Sequence, residues 1–113
     1  MVIYLNGKFV DAKNAKVSVF DHGFLFGDGI FETLRADKGK VWQMDEHLER
    51  LYESARMRGW KLSWTAKEMA EVVEKAVARH GPADARIRIT ITPGVKPALN
   101  PALAGKNPTL FIW

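Results

Sequence analysis

The 113-residue chain contains no cysteine, which excludes a disulfide framework and any metal site built on thiolates. It has no apolar run approaching the roughly 18 residues that a membrane span needs. Its first residues, Met1-Val-Ile-Tyr-Leu-Asn-Gly7, lack the basic-then-apolar layout of a signal peptide, so the cytoplasm is the expected compartment. Repeats and low-complexity segments are absent. The formal net charge is +4, but the lysines are scattered rather than gathered into a stripe. Nucleic-acid binding would want both a stripe and a recognisable module. His22, His47 and His80 show no metal-ligand spacing.

What is there is the composition of one globular domain, 47% hydrophobic and 27% charged, on a chain long enough for a modest single core. Asn6-Gly7 is the strongest short hairpin signal and joins strands at 2–5 and 8–10. A further short extended piece is expected at 17–20. Strands at 30–36 and 40–43 meet across Asp37-Lys38-Gly39. Asp45 reads as the N-cap of a helix whose apolar face is Met44, Leu48, Leu51, Tyr52 and Ala55, stopped by Gly59. Thr65-Ala-Lys-Glu68 is a capping box opening a second helix, with Met69, Val72, Val73, Ala76 and Val77 as its stripe and Gly81-Pro82 as its end. Residues 86–92 alternate strictly, with Ile87, Ile89 and Ile91 on one face and Arg86, Arg88, Thr90 and Thr92 on the other. A loop over 95–107 is long enough to suspect a functional role. The apolar strand 108–113 has the pattern of one covered on both faces. It stops without polar residues or a cap, and the chain is expected to be the N-terminal part of a longer protein. The fold class is α+β, an antiparallel sheet with two helices.

The chemistry gathers in two motifs, Phe20-Asp-His-Gly-Phe-Leu-Phe-Gly-Asp-Gly-Ile-Phe-Glu-Thr-Leu-Arg35 and His47-Leu-Glu-Arg-Leu51. Gly23, Gly27 and Gly29 among Phe24, Leu25 and Phe26 read as a tight, partly buried loop. It lacks the G-K-[ST] of a phosphate-binding P-loop and lies in no βαβ unit, which disfavours nucleotide binding. On the strand that follows, Glu32 shares a face with Ile30 and Leu34. A carboxylate there is costly unless it is paired. Arg50 lies on one helix flank with His47 and Ser54. It has a bland partner in Glu46, an i,i+4 pair worth roughly a few tenths of a kcal/mol. A guanidinium equally suits a phosphate, through two parallel hydrogen bonds. Arg86 and Arg88 are either a solvent-facing pair or a clamp for a carboxylate.

These two motifs, in this order, resemble the N-terminal part of the class IV pyridoxal-phosphate enzymes. That family holds branched-chain aminotransferases, D-amino-acid aminotransferases and aminodeoxychorismate lyases, and the similarity runs from Val2 to the chain end. The resemblance implies that 1–113 is the small N-terminal domain of a fold-type IV enzyme, with the catalytic C-terminal domain outside this chain. It implies pyridoxal 5'-phosphate as cofactor, amino acids and 2-oxo acids as substrates, and a homodimer. It assigns the cofactor phosphate to Arg50 and the substrate carboxylate to Arg88, six residues before Gly94. Phe26 and Phe31 match pocket-lining aromatics, with ordinary core packing as the alternative. Arg86 stands where branched-chain enzymes often carry tyrosine. Pro93 and Lys96-Pro-Ala replace the arginines and histidine of the D-specific enzymes, which disfavours that branch. Phe31-Glu-Thr33 leans toward the lyases and Arg88 toward the aminotransferases, of which the branched-chain type is favoured. The lysine that bonds to the cofactor lies, in the family, beyond Trp113, so no catalytic residue is expected in this chain. The reading of another class is a non-catalytic binding or dimerisation module.

Overall fold

Asn6 and Gly7 take left-handed backbone, with φ of 49° and 94°, and turn β1 (Val2–Leu5) onto β2 (Lys8–Asp11). A two-residue hairpin needs that conformation to match the twist of its strands. The computed structural model describes residues 2–95. The expected loop beyond Val95 and the strand at 108–113 lie outside the described residues. Tyr4 pairs with Phe9 across the hairpin, their rings edge-on at 5.1 Å. A single 3-10 turn, Ala12–Asn14, follows.

Residues 17–20 form no strand, contrary to the expectation from their sequence. No strand among the described residues pairs with them, and Val17, Val19 and Phe20 are exposed. The glycine-rich stretch is also corrected, because its first half is a short helix, α1 (His22–Phe26). The Asp21 carboxylate accepts from the Gly23 N–H at 2.7 Å, capping the helix at its start. Gly27, with φ of 64°, closes it in the left-handed conformation, where a side chain would be strained.

A three-stranded antiparallel sheet runs in the order β4-β3-β5, from β3 (Ile30–Asp37), β4 (Lys40–Val41) and β5 (Ala85–Ile91). Here β4 ends at Val41, two residues earlier than expected. The Trp42 N–H still bonds the Arg35 carbonyl at 2.9 Å, but Gln43 turns left-handed (φ 51°) and swings the chain into α2 (Met44–Met57). Gln43 therefore precedes the helix. Asp45 lies in its first turn with Glu46, where negative charge suits the helix dipole. The capping box of α3 (Ala66–His80) forms as read: Thr65 Oγ1 accepts from the Glu68 N–H, and the Glu68 carboxylate accepts from the Thr65 N–H, each at 3.1 Å.

The core is the interface between one sheet face and the two long helices. Leu34 and Ala36 of β3 and Ile87, Ile89 and Ile91 of β5 meet Leu48, Leu51 and Ala55 of α2 and Met69, Val73, Ala76 and Val77 of α3. Each large side chain buried there contributes about 1.5–3 kcal/mol. The β1–β2 hairpin forms a separate sheet beside α3, with the Arg79 guanidinium 4.2 Å over the Phe9 ring. The strict alternation of β3 and β5 leaves Phe31, Thr33 and Arg35, with Arg86, Arg88 and Thr90, on the sheet face away from the helices.

Candidate functional site

The pleat that buries Leu34 also turns Glu32 toward the helices, where its side chain is only 8% exposed. Its carboxylate is fully engaged. Arg50 donates from Nε to Oε1 at 2.6 Å and from Nη2 to Oε2 at 2.8 Å. His47 lies one helical turn earlier, with Nδ1 2.8 Å from Oε2. A carboxylate can only accept, so the His47 proton sits on Nδ1. The 3.4 Å approach of Arg50 Nη2 to that nitrogen is then two donors converging on one acceptor. Arg50 hydrogen bonding holds Glu32 below the usual carboxylate range, against the upward push of burial, and His47 adds to the effect. Arg50 is in turn held more firmly protonated by Glu32. The pairing with Glu46 that helix spacing offers is not made; the partner is a strand residue 18 positions away.

Glu32 uses one edge of the Arg50 guanidinium. A guanidinium carries five N–H donors in a planar fork, so both Nη1 hydrogens and one on Nη2 remain for another anion. The Arg50 side chain is 67% exposed, which leaves that end of the fork open.

The second cluster lies on the other sheet face. The Arg88 guanidinium stacks 4.0 Å over the Phe31 ring and donates from Nε to Thr90 Oγ1 at 3.2 Å. Both side chains line an apolar hollow of about 420 Å³, walled by Val17, Gly23, Phe24 and Thr92, within the range that small ligands occupy. The hollow is stapled together by backbone. Gly94 donates to Thr92 Oγ1 at 3.1 Å, and the Gly94 carbonyl accepts from the His22 N–H at 3.0 Å. A Cβ on Gly23 would overlap the Thr92 methyl, so glycine there serves close approach rather than an unusual φ.

The structure thus brings Phe31 and Arg88 together and sets Arg50 on the opposite face of the same sheet. Phe26 does not line the hollow; its ring is edge-on to His22 at 5.1 Å and more than half exposed. Neither Phe26 nor Phe31 is a core residue. Arg86 is exposed beside Arg35, and Arg35 pairs with Asp84 at 3.1 Å. Sequence reasoning misses the buried Asp28, which forms an ion pair with Arg58. That guanidinium also lies 5.2 Å from the Trp60 ring centroid, so the glycine-rich segment is tied to the chain just past α2. The described lysines are all exposed. Among the described residues no cluster could hold a metal ion, and no helix is long and apolar enough to cross a membrane.

Fold and site together define an α+β domain that presents two arginines, one anchored by a buried carboxylate and one stacked on an aromatic ring beside an apolar hollow. Residues 29–113 match the family model of the amino-transferase class IV proteins, and the chain belongs to that family. It is 50% identical over 112 residues to a Methanocaldococcus jannaschii protein provisionally named a branched-chain-amino-acid aminotransferase, covering 98% of this chain and 38% of that one. It is 39% identical over 95 residues to the D-alanine aminotransferase of Staphylococcus epidermidis, covering 84% of this chain and 34% of that one. Among solved structures, the branched-chain aminotransferase of the thermophilic archaeon Thermoproteus uzoniensis, crystallised with norvaline, has a TM-score of 0.85 at 30% identity, covering 100% of this chain and 39% of that one. The chain therefore spans little more than a third of the length of these relatives.

Proposed function

We propose that this chain is the small N-terminal domain of a pyridoxal-phosphate-dependent aminotransferase, a cytoplasmic homodimer that moves an amino group between an amino acid and a 2-oxo acid. The branched-chain type is favoured by the 50% identity to the M. jannaschii relative and by Arg88. The single observation that carries the reading is the open end of the Arg50 fork, with Glu32 gripping the other edge. That donor set suits a phosphate, whose oxygens match two parallel N–H groups. Glu32 already offsets the Arg50 charge, so the phosphate is not held by Arg50 alone. When bound, the cofactor supplies an electron sink for bonds at the substrate's α-carbon.

This chain's residues bind and orient. Arg88 offers a cation to the substrate carboxylate, and Phe31 holds that guanidinium by stacking, which keeps it pre-set rather than mobile. The apolar wall of the hollow excludes water and receives an aliphatic side chain. Phe26 is exposed on the same short helix as Phe24, which walls the hollow. The exposed apolar side chains of Val17, Phe24 and Phe31, gathered around one hollow, with Val19, Phe20, Leu25 and Phe26 also exposed, support the homodimer, since clustered exposed apolar surface marks interaction sites. No lysine of a cofactor-bonding kind is proposed within residues 2–95.

The test is amino transfer by the full-length protein. Branched-chain amino acids with 2-oxoglutarate should give turnover well above that with D-alanine, and aminodeoxychorismate should not be cleaved. Turnover confined to D-alanine or to aminodeoxychorismate would overturn the substrate assignment, and no turnover with any of the three would overturn the enzyme reading.

A further inference from the structure

We infer that Glu32 is a positioning residue for the cofactor phosphate: it fixes the Arg50 fork before the phosphate arrives and decides which end of it the phosphate meets. This rests on the reading of Arg50 as the phosphate ligand. A long, largely exposed arginine ordinarily samples many rotamers. Here Nε and Nη2 are clamped at 2.6 and 2.8 Å by a carboxylate that is itself immobile, being 8% exposed on a core strand. His47 clamps the same carboxylate from the preceding helical turn at 2.8 Å. The guanidinium therefore has one plane and one free end, formed by Nη1 and the second Nη2 hydrogen. Ordering a long side chain ahead of binding removes that cost from the binding step, equivalent to about three- to tenfold in affinity.

The Glu32 charge acts in the opposite sense, since it sits behind the guanidinium and repels an incoming phosphate. The two effects separate in two ways. Losing the repulsion would tighten phosphate binding, whereas losing the positioning weakens it, so the two differ in sign. Glu32→Asp keeps the charge but is one methylene too short to hold both nitrogens, whereas Glu32→Gln keeps the length and removes the charge.

The experiment measures dissociation constants of the full-length protein for pyridoxal 5'-phosphate and for pyridoxal, which lacks the phosphate. The ratio of the two isolates the phosphate contribution and corrects for general damage to the fold. Glu32→Asp and Glu32→Gln should each lower the preference for the phosphorylated form about three- to tenfold, with pyridoxal binding unchanged. His47→Asn, at a half-buried position whose hydrogen bond goes to Glu32 rather than to Arg50, should lower it by a smaller factor. This variant decides the matter if the Glu32 variants do not fold. Arg50→Ala should abolish most of the preference. If Arg50→Ala loses the preference while the Glu32 and His47 variants retain it, the positioning role is wrong and the phosphate ligand stands. If Arg50→Ala retains it, the phosphate reading itself fails, and the positioning role with it.

Discussion

Replacing Gly23 with alanine should destabilise the domain, although helix propensity points the other way. Gly23 is the second residue of α1, and glycine to alanine inside a helix ordinarily gains about 0.5–1 kcal/mol. The new Cβ would overlap the Thr92 methyl and stand 3.0 Å from the Asp21 carboxylate oxygen that caps the helix. Thr92 cannot yield freely, because its hydroxyl accepts from Gly94 at 3.1 Å and Gly94 is bonded to His22. Overpacking of this sort costs about 1–3 kcal/mol, more than propensity returns. Thr92→Ser removes the offending methyl and keeps the hydroxyl, at about 0.5–1.5 kcal/mol for one buried methyl. The double variant should then lie within about 1 kcal/mol of Thr92→Ser alone, a coupling expected of residues in direct contact. Urea unfolding followed by tryptophan fluorescence reads each value. A Gly23→Ala protein as stable as wild type, or a double variant whose loss equals the sum of the single losses, would refute the close-approach argument.

Arg88→Leu in the full-length protein should raise KM for carboxylate-bearing substrates about 10- to 100-fold, because hydrogen bonds to charged groups contribute about 1.5–3 kcal/mol; an unchanged KM places the carboxylate elsewhere. Glu32 has a depressed pKa in the folded state, so the stability it contributes is fully present above its ordinary value of 4.5 and is lost as pH falls through the lower folded value. Glu32→Gln cannot titrate and should show a flatter loss of stability below pH 4.5, checked by unfolding curves across the acid range; equal slopes would remove Glu32 as the cause. Thr65→Ala dismantles the capping box of α3 and should cost about 1 kcal/mol, measured as a lower urea midpoint with unchanged slope.

Local signals carried most of the architecture. Asn6-Gly7, the Thr65–Glu68 box and the alternation of β3 and β5 each specify their own structure within a few residues, and each forms as read. The Glu32 anomaly is also local, since a carboxylate between Ile30 and Leu34 needs a partner wherever the strand packs. The identity of that partner is not local. Helix spacing offers Glu46 to Arg50, but a carboxylate in the core costs more when left unpaired than one in water, so the buried group takes the arginine. The turn at Gln43 is hidden for a similar reason. Asp45 looks like a cap, yet the hairpin continues to the Trp42–Arg35 hydrogen bond, and the chain must reverse in the single residue left. Five residues of α1 are too few to show a helical period, and the aromatic side chains there are mostly exposed. The separation of Arg50 from Arg88 by the sheet follows from the parity of β3 once the helices are known to cover the Glu32 face.

A crystal structure of the full-length protein soaked with pyridoxal 5'-phosphate tests the central claim most directly. The phosphate should lie within hydrogen-bond distance of Nη1 and Nη2 of Arg50, with Glu32 still bonded to Nε on the opposite edge. A phosphate held elsewhere, with the Arg50 guanidinium touching only Glu32 and water, would contradict it.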